Sequence, residues 1–474
     1  MLKRTKIVAT ISDQRCEVSF IKSLYDAGMN VARLNTAHMN PSGAKILIDN
    51  IRKVSDHIAI LVDTKGPEIR TSSKGAEVKV QQGMTVKISG DPNGESGGDN
   101  IFVSYPNIHK EVPVGNAVLI DDGEIELRVR SVSHDALVCE VENGGVIKLR
   151  KSVNLPGVHI NLPSLTQKDK DFVQFAVENR VDFIAHSFVR NKHDVLEIKE
   201  ILQQQKSPIK VIAKIENQQG VDNIDEILDH AYGIMVARGD LGIEIPSEKL
   251  PIIQNRIVRK CIESKKPVII ATQMLHTMIE HPRPTRAEIS DIANAIYQRA
   301  DAIMLSGETA YGAYPVEAVN VMTRVANEVE DVLETDSSIN LARINNEVTA
   351  ALAKSAVRAC SMLPVRAIIV DTLTGRTGRY LSAFRGQIPI YAICYNEHVM
   401  RQLALSYGIE AFYMEPRQSR DHFLSDAISY MLEQRKIASE DMVLIIGGSF
   451  GPSNGATFME IGKVKNLAKK KGEF

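Results

Sequence analysis

The chain has 474 residues, which is too long for one compact domain, so we expect two or three domains. Its formal net charge of −1, with 44% hydrophobic and 24% charged residues, argues against a disordered protein and against a nucleic-acid partner. No run of about 18 apolar residues predicts a membrane span, and the five scattered cysteines predict neither a zinc site nor disulfides, so we expect a cytoplasmic protein.

The first 64 residues alternate apolar runs with an amphipathic segment. Three runs rich in β-branched residues predict strands at residues 6–11, 31–37 and 58–64. Between the first two runs, apolar residues recur at helical spacing from Val18 to Ala27, and Gly28 follows as a stop signal. This order of elements predicts βα units.

The pattern changes between about residue 70 and residue 160, where the segments are short, alternating and rich in turn signals. We interpret this region as a small β domain inserted into another fold. The βα pattern then returns, with strands predicted at residues 182–188, 210–217, 233–237, 267–272 and 302–306. Three strands before the insertion and five after it match a closed (β/α)₈ TIM barrel.

A polar stretch at residues 334–340 indicates a linker to a last domain. A long helix is predicted at residues 341–363, and buried strands are predicted at residues 366–370, 389–394 and 442–446. These elements indicate an independent α/β domain. The predicted domains are the barrel in two parts (1–67 and 163–338), the inserted β domain (68–162) and the C-terminal α/β domain (339–474).

Reactive residues gather where the predicted barrel strands end, which is where such barrels carry their active sites. Lys214 and Glu216 are two residues apart on a strand and therefore face the same way. Glu216 and Asp240 follow neighbouring strands, and such a carboxylate pair suits a hard divalent cation. The alternative is a structural layer of ion pairs, with each carboxylate paired to Lys214 or Arg238.

Five segments resemble the signature sequences of pyruvate kinases, at residues 63–70 (DTKGPEIR), 211–220 (VIAKIENQQG), 235–242 (MVARGDLG), 282–288 (PRPTRAE) and 304–309 (MLSGET). The resemblance covers essentially the whole chain. It implies a TIM barrel with an inserted small β-barrel lid domain, a C-terminal α/β regulatory domain and a homotetramer. It also implies transfer of phosphate from phosphoenolpyruvate to ADP through a metal-stabilised enolate, which gives pyruvate and ATP.

The resemblance implies roles for residues at the barrel mouth. Lys214 resembles the lysine that contacts the transferring phosphoryl group, and Arg33 the arginine that grips the phosphate. The backbone at Gly239 and Asp240, with the Thr272 hydroxyl, resembles the cradle for the substrate carboxylate, and Thr272 with Ser306 resembles the proton path to the enolate. Magnesium or manganese would bind Glu216 and Asp240.

The resemblance also implies a potassium site and a nucleotide site. Potassium would bind Asn35, Asp63 and the Thr64 carbonyl, but Ala37 stands where the family commonly has a serine ligand, so we expect weakened potassium affinity. The nucleotide phosphates would contact the residues Arg70, Lys151, His38 and Thr10. Ser12 and Asp13 replace the usual Gly-Pro pair, and this leaves the nucleotide preference open.

In the C-terminal domain, residues 372–377 resemble the loop that binds a phosphorylated effector, through Thr372, Thr374, Arg376 and Thr377. The alternative is ordinary helix capping by Thr374. Residues 447–455 resemble a second effector loop only loosely. The sequence leaves two alternative functions: a different metal-dependent enzyme acting through an enolate, and a catalytically silent homologue that senses phosphorylated metabolites. ADP-dependent release of pyruvate separates them from the main prediction.

Overall fold

The computed structural model describes residues 3–334, 338–415, 420–448 and 455–468. The chain begins with β1 (Lys6–Thr10), α1 (Val18–Ala27), β2 (Val31–Asn35), α2 (Pro41–Val54) and β3 (Ala59–Asp63). The predicted strands are confirmed, and each ends one or two residues earlier than predicted. Gly28 ends α1 at φ 120°, a conformation that glycine adopts most easily, so the predicted stop signal is also confirmed.

A separate β domain follows β3. Its elements are β4 (Lys74–Gly75), β5 (Val78–Val80), β6 (Thr85–Gly90), β7 (Glu95–Ser96), β8 (Asn100–Val103), α3 (Ile108–Glu111), β9 (Ala117–Ile120), β10 (Ile125–Val132), β11 (Ala136–Val141), β12 (Gly145–Ile147) and β13 (Val153–Asn154). Six strands form one sheet in the order β13-β9-β10-β11-β6-β8. Alternating residues such as Val86, Ile88 and Leu127 are buried in a core of their own, which makes the insertion a distinct unit.

The chain then completes the barrel. The elements are α4 (Gln167–Glu178), β14 (Phe183–His186), α5 (Lys192–Gln204), β15 (Lys210–Ile215), α6 (Gln218–Asp222), α7 (Ile224–His230), β16 (Gly233–Ala237), α8 (Arg238–Glu244), α9 (Leu250–Glu263), β17 (Val268–Ala271), α10 (Arg286–Tyr297), β18 (Ala302–Leu305), α11 (Gly307–Ala310) and α12 (Pro315–Val332). The eight parallel strands close in the order β1-β18-β17-β16-β15-β14-β3-β2, which confirms the predicted barrel.

The barrel interior explains where the site must lie. Its centre is filled by apolar side chains such as Leu61, Phe183 and Ile269, so no ligand can enter there. All eight strands run in the same direction, so their carboxyl ends meet at one rim. Neighbouring strands are in register at this rim, where Asn35 of β2 lies opposite Asp63 of β3.

The last domain is an α/β sandwich. It contains α13 (Glu347–Met362), β19 (Val365–Thr372), α14 (Arg376–Ala383), β20 (Ile390–Cys394), α15 (Glu397–Gln402), β21 (Ile409–Tyr413), α16 (Arg420–Glu433), β22 (Met442–Gly447), β23 (Phe458–Lys463) and α17 (Val464–Ala468). The sheet order is β21-β20-β19-β22-β23. The three predicted strands are its centre, whereas β21 and β23 were not predicted, and the predicted helix at 341–363 begins only at Glu347.

Buried ion pairs join this domain to the end of the barrel opposite the rim. Arg385 contacts Asp301 through two hydrogen bonds of 2.6 and 3.1 Å, and Asp301 directly precedes β18. Arg401 donates a 2.7 Å hydrogen bond to Asp182, which directly precedes β14. The domain boundaries at 67/68, 162/163 and 338/339 stay predictions.

Candidate active site

A cavity of about 890 Å³ opens at the carboxyl ends of the barrel strands, beneath the inserted β domain. It is lined by predicted site residues of the barrel and of the insertion: Arg33, Asn35, His38, Thr64, Arg70, Lys214, Glu216 and Asp240. The strand ends project these side chains into the rim, as expected for a TIM barrel. The structure therefore gathers residues that are up to 207 positions apart in the chain into one space.

Asp63 is the buried centre of the site. Its Oδ2 atom accepts a 2.7 Å hydrogen bond from Nε of Arg33, and its Oδ1 atom lies 3.1 Å from Nζ of Lys214. Burial would raise the pKa of the Asp63 carboxyl, but Lys214 and Arg33 outweigh burial and hold the pKa below its usual range. Asp63 is therefore ionised and holds two cations of the site at once.

Lys214 is surrounded by groups that accept hydrogen bonds or carry negative charge. Its Nζ atom lies 3.0 Å from Glu216 and donates a 2.7 Å hydrogen bond to Oγ of Ser187. Burial would lower the pKa of the Lys214 ammonium, but Asp63 and Glu216 raise it above its ordinary value. Lys214 therefore keeps a full positive charge in a buried position. Its contact with Glu216 agrees with the prediction, from their spacing, that the two side chains face the same way.

Glu216 and Asp240 form a carboxylate pair at the rim. Burial raises the pKa of Glu216 to about 7, Lys214 opposes this rise, and Asp240 adds to it. Burial likewise raises the pKa of Asp240, whose side chain shares a hydrogen bond with Glu216. Two neighbouring carboxylates, one buried and one partly buried, repel each other when both are ionised, so this pair is suited to share a cation.

The donor set fits a magnesium-class ion. In the described ranges, no three or more His, Cys, Asp or Glu side chains are grouped so that they could hold a metal, so the carboxylate pair leaves further positions to water or substrate. Magnesium prefers such partly hydrated oxygen sites. The alternative pairing of Asp240 with Arg238 is wrong, because Arg238 pairs with Asp291 over 2.7 Å. The alternative pairing of Glu216 with Lys214 is confirmed, because the two side chains are in contact.

Thr272 and Gly239 lie together at the ends of β17 and β16. The backbone N–H of Gly239 donates to Oγ1 of Thr272 over 2.8 Å, and this hydroxyl donates to the Ala271 carbonyl over 2.6 Å. Thr272 has a φ of 71° and the next residue, Gln273, a φ of 55°. Two successive non-glycine residues in the left-handed region store strain, which is typical of functional sites.

The predicted nucleotide residues divide between barrel and insertion. Arg70 donates to Glu68 and to the Arg150 carbonyl, each over 2.7 Å, and Lys151 lies 2.8 Å from Asp121. Both cations line a second cavity of about 440 Å³ between the two domains. Thr10 instead lies beneath the site, where its buried hydroxyl accepts a 2.9 Å hydrogen bond from Arg33 and donates to Leu305.

The three predicted potassium ligands lie close together. Asn35 accepts a hydrogen bond from the Ala37 N–H over 3.2 Å, and the Thr64 carbonyl accepts one from Ser187 over 2.7 Å. Ser187 follows β14 and was given no role from the sequence, although its hydroxyl contacts both Lys214 and Thr64. A hydroxyl residue close to the carboxyl end of the strand predicted at residues 182–188 is the signal that could have found it.

The predicted effector loop lies between β19 and α14. Thr372 and Thr377 are buried. The alternative of helix capping by Thr374 is wrong, because the N-cap of α14 is Gly375 at φ 74° and no side chain caps the helix there. The Thr374 carbonyl instead accepts a 3.3 Å hydrogen bond from Arg379. Part of the second predicted effector loop, residues 449–454, lies outside the described residues.

No helix among the described residues has the length and apolar character needed to cross a membrane. Residues 2–319 match the family "Pyruvate kinase, barrel domain", and residues 350–461 match "Pyruvate kinase, alpha/beta domain".

Named relatives agree with these matches. The chain is 48% identical to the pyruvate kinase of Borreliella burgdorferi over 98% of both chains. It is 42% identical to a pyruvate kinase of Staphylococcus aureus over 97% of this chain and 80% of that one. The crystal structure of a pyruvate kinase from Cryptosporidium parvum superposes with a TM-score of 0.91 at 37% identity, over 98% and 96% of the two chains. The chain therefore belongs to the pyruvate kinase family.

Proposed function

We propose that this chain transfers the phosphoryl group of phosphoenolpyruvate to ADP and then protonates the remaining enolate to pyruvate, using the residues at the barrel rim. The observation that carries this proposal is the convergence of Arg33 and Lys214 on Asp63, directly beside the carboxylates of Glu216 and Asp240. Phosphoryl transfer is catalysed mainly by positioning and by preorganised charge, and this arrangement supplies both.

Arg33 and Lys214 are assigned to the phosphoryl group. Both are buried and permanently charged, and Asp63 and Ser187 fix their side chains before substrate arrives. Such fixed cations stabilise charge in the transition state without reorganisation. Arg33 would bind the phosphate, and Lys214 would neutralise charge between the donor and acceptor oxygens.

Glu216 and Asp240 would hold magnesium or manganese, as their paired oxygen donors support. When bound, the ion would neutralise substrate charge and orient the substrate oxygens. Asn35, Asp63 and the Thr64 carbonyl would hold potassium with reduced affinity, because Ala37 offers no hydroxyl.

The substrate carboxylate is assigned to the backbone at Gly239 and Asp240 and to Thr272. Because the Gly239 N–H already donates to Thr272, an incoming carboxylate would have to compete with that hydroxyl as acceptor. The Thr272 hydroxyl holds a proton on Oγ1 and is the proposed route to the enolate, together with Ser306, which directly follows β18.

ADP is assigned to the cleft between the barrel and the inserted domain, which would act as a lid. Arg70, Lys151, His38 and Thr10 are the proposed nucleotide residues. The lid residues Arg70 and Lys151 support this proposal, because both reach a cavity between the two domains and both carry positive charge.

Three further properties are proposed only because the chain belongs to the pyruvate kinase family. They are a homotetramer, a cytoplasmic location suited to glycolysis, and a phosphorylated effector bound by Thr372, Thr374, Arg376 and Thr377. Arg376→Ala tests the last of these, since activation by a phosphorylated effector should disappear in that variant.

A coupled assay of pyruvate release tests the main proposal. We expect release to require both phosphoenolpyruvate and ADP and to fall on removal of magnesium or potassium. Lys214→Met should lower kcat by about 10²–10³-fold, whereas the matched control Lys22→Met, at an exposed i,i+4 pair with Asp26, should leave it unchanged. Release without ADP would favour the rival lyase, absence of release would favour the silent homologue, and a fully active Lys214→Met would remove the lysine from its role.

A further inference from the structure

Two linkers join the inserted domain to the barrel, and a charged side chain of the barrel holds each of them. The first linker leaves β3, and its N–H groups at Lys65 and Gly66 donate to Oδ1 of Asp169 over 2.9 and 3.4 Å. Asp169 belongs to α4 and is fully buried, and its Oδ2 atom accepts two further hydrogen bonds from Thr166. Asp169 therefore fixes the start of the first linker on the barrel.

The second linker returns from β13 to α4, and Arg190 holds it. Nη1 of Arg190 donates to the backbone carbonyls of Ile160 and Leu162 over 3.3 and 2.8 Å. The residue between them is held by the other domain, because the N–H of Asn161 donates to Glu111 of the inserted domain over 3.2 Å. We name these three linker residues the hinge segment. The barrel holds its outer carbonyls, and the inserted domain holds its central N–H.

Asp194 sets the direction of the Arg190 side chain. Its carboxylate accepts hydrogen bonds from Nε and Nη2 of Arg190, each over 3.0 Å. Together with the two carbonyls of the hinge segment, Asp194 engages most of the five N–H donors of the guanidinium and neutralises its charge. Arg190 lines the cavity between the two domains, but it has little capacity left to bind a nucleotide phosphate. Its contacts are those of a residue that positions a backbone segment.

The linkers lead directly to the two cations that are proposed to bind the nucleotide. Residues 69–71 leave the barrel and residues 151–153 return to it, and they pair through two backbone hydrogen bonds of 2.8 Å. Arg70 and Lys151 therefore lie on one two-stranded ribbon, whose strands continue into the two linkers. A change in the position of the hinge segment would move both cations relative to the rim.

The loop that carries Arg190 also reaches the barrel rim. Two residues earlier, the N–H of Phe188 donates to Oε2 of Glu216 over 2.7 Å. Gly66 of the first linker has a φ of 72°, and a Cβ atom there would lie only 2.9 Å from the Phe188 ring. One short loop of the barrel therefore contacts the first linker, the second linker and a carboxylate of the proposed metal site.

We propose that Arg190 is a positioning residue, which fixes the hinge segment and thereby places Arg70 and Lys151 for the binding of ADP. This inference rests on the proposed function, which assigns ADP to the cleft between the two domains. A misplacement of about 1 Å far from the reacting atoms can lower a rate about 100-fold, so the position of the ribbon matters for transfer. Phosphoenolpyruvate is assigned to the barrel rim alone, so the loss of Arg190 should affect the two substrates unequally.

Hydrogen exchange of the ligand-free, full-length protein tests whether Arg190 fixes the hinge segment. In Arg190→Gln, the amides of the hinge segment should exchange at least about 10-fold faster than in wild type, because charged hydrogen bonds are lost. The amides of β10 and β11, in the core of the inserted domain, should keep their wild-type rates. Arg259→Gln, the same change at an exposed arginine of α9, is the matched control and should exchange as wild type does. Unchanged exchange in Arg190→Gln, or equal acceleration in β10 and β11, would overturn the proposal.

Steady-state kinetics and calorimetry test the unequal effect on the two substrates. In Arg190→Gln, the KM for ADP should rise at least about 10-fold, whereas the dissociation constant of phosphoenolpyruvate, measured with magnesium and potassium, should stay within about twofold. Arg190→Lys should also raise the KM for ADP, because one ammonium cannot reach Asp194 and both carbonyls.

The outcomes separate this inference from the proposed function. A wild-type KM for ADP in Arg190→Lys would show that only charge is needed there, and an equal loss of affinity for both substrates would show a general defect; either result contradicts a positioning role. Absence of pyruvate release by the wild-type protein would instead refute the proposed function. The exchange rates would still decide, without any enzymatic activity, whether Arg190 fixes the hinge segment.

Discussion

The Oδ2 atom of Asp63 accepts a hydrogen bond from Nε of Arg33 over 2.7 Å, while its Oδ1 atom faces Lys214 at 3.1 Å. One buried carboxylate therefore sets the positions of two cations that come from strands β2 and β15. Because Asp63 also belongs to the predicted potassium ligands, its charge would link the proposed potassium site to the proposed phosphoryl site. A change at Asp63 should consequently affect both activity and stability.

Asp63→Asn keeps the shape of the side chain but removes its charge. Arg33 and Lys214 then lose a shared counter-charge in a buried position, so we expect the free energy of unfolding to fall by about 3 kcal/mol and kcat/KM to fall by at least about 100-fold. Denaturant unfolding and a coupled assay measure the two effects. Asp26→Asn, which removes an exposed partner of Lys22, should change neither. Wild-type stability of Asp63→Asn would contradict the role of this carboxylate.

Ser187→Ala removes the 2.7 Å hydrogen bond that the ammonium of Lys214 donates to Oγ, together with the bonds from this hydroxyl to the Thr64 carbonyl and to Asp63. The contacts of Lys214 itself with Asp63 and Glu216 remain. One such bond contributes about 1 kcal/mol, so kcat should fall about 5- to 10-fold. The KM for phosphoenolpyruvate should stay within about twofold, because Ser187 positions the lysine rather than binding the substrate. Ser187→Thr keeps the hydroxyl and should recover most of the activity. An equal loss in both variants would indicate a packing effect instead.

The sequence predicted the barrel and its reactive rim because both depend on local patterns. Apolar strand cores are continuous in the sequence, and the polar residues after them mark the strand ends. Strands β21 and β23 were not predicted from the apolar pattern. They lie at the two edges of their sheet and mix polar with apolar residues, as in IEAFY and FMEIGK. Edge strands bury less surface and leave a weaker pattern.

Specific pairings could not be predicted from periodicity. The spacing of Lys214 and Glu216 placed both on one face, and they are in contact. Nothing local in the sequence joins Asp301 to Arg385, which are 84 residues apart and lie in different domains. Tertiary packing decides which carboxylate pairs with which cation. The pairing of Arg238 with Asp291 therefore could not be predicted from the sequence either.

Asp301→Asn should destabilise the contact between the barrel and the C-terminal domain. Arg385 is 2% exposed and would remain as a buried cation without its counter-charge, so we expect a loss of about 3–5 kcal/mol. Thermal unfolding measures this loss. Asp301 also accepts hydrogen bonds from the N–H groups of Val268 and Tyr407, so the substitution affects these contacts as well. Glu317→Gln, at an exposed pair with Arg324, is the control and should cost less than about 0.5 kcal/mol. A similar small cost at Asp301 would refute the prediction.

His186 should make the protein sensitive to acid. It is fully buried, both ring nitrogens lack hydrogen-bond partners, and burial lowers its pKa to about 4, although Asp194, Asp169 and Glu197 oppose that shift. The unfolded chain takes up a proton near pH 6.5, whereas the folded chain does so only near pH 4. The unfolded state therefore binds more protons between these values, and stability falls as pH falls.

His186→Met should remove this acid sensitivity. Between pH 7.5 and pH 5, the histidine contributes a loss of about 2 kcal/mol, and the variant should lack that part of the loss. Urea unfolding at both pH values measures the difference. His134→Gln replaces an exposed histidine and should retain the wild-type pH dependence. Parallel pH profiles for His186→Met and wild type would show that the buried ring does not titrate in this way.

Ala37→Ser should strengthen potassium activation. Ala37 lines the main cavity next to Asn35, so a serine there would add one hydroxyl oxygen to the proposed ligands Asn35, Asp63 and Thr64. A gain of about 1 kcal/mol would lower the potassium concentration for half-maximal activity about fivefold, with kcat unchanged at saturation. Titration with potassium, balanced by tetramethylammonium, measures the change, and Ala76→Ser in the inserted domain is the control. Full activity of the wild type without potassium, or an unaltered titration curve for Ala37→Ser, would show that the ion does not bind at these residues.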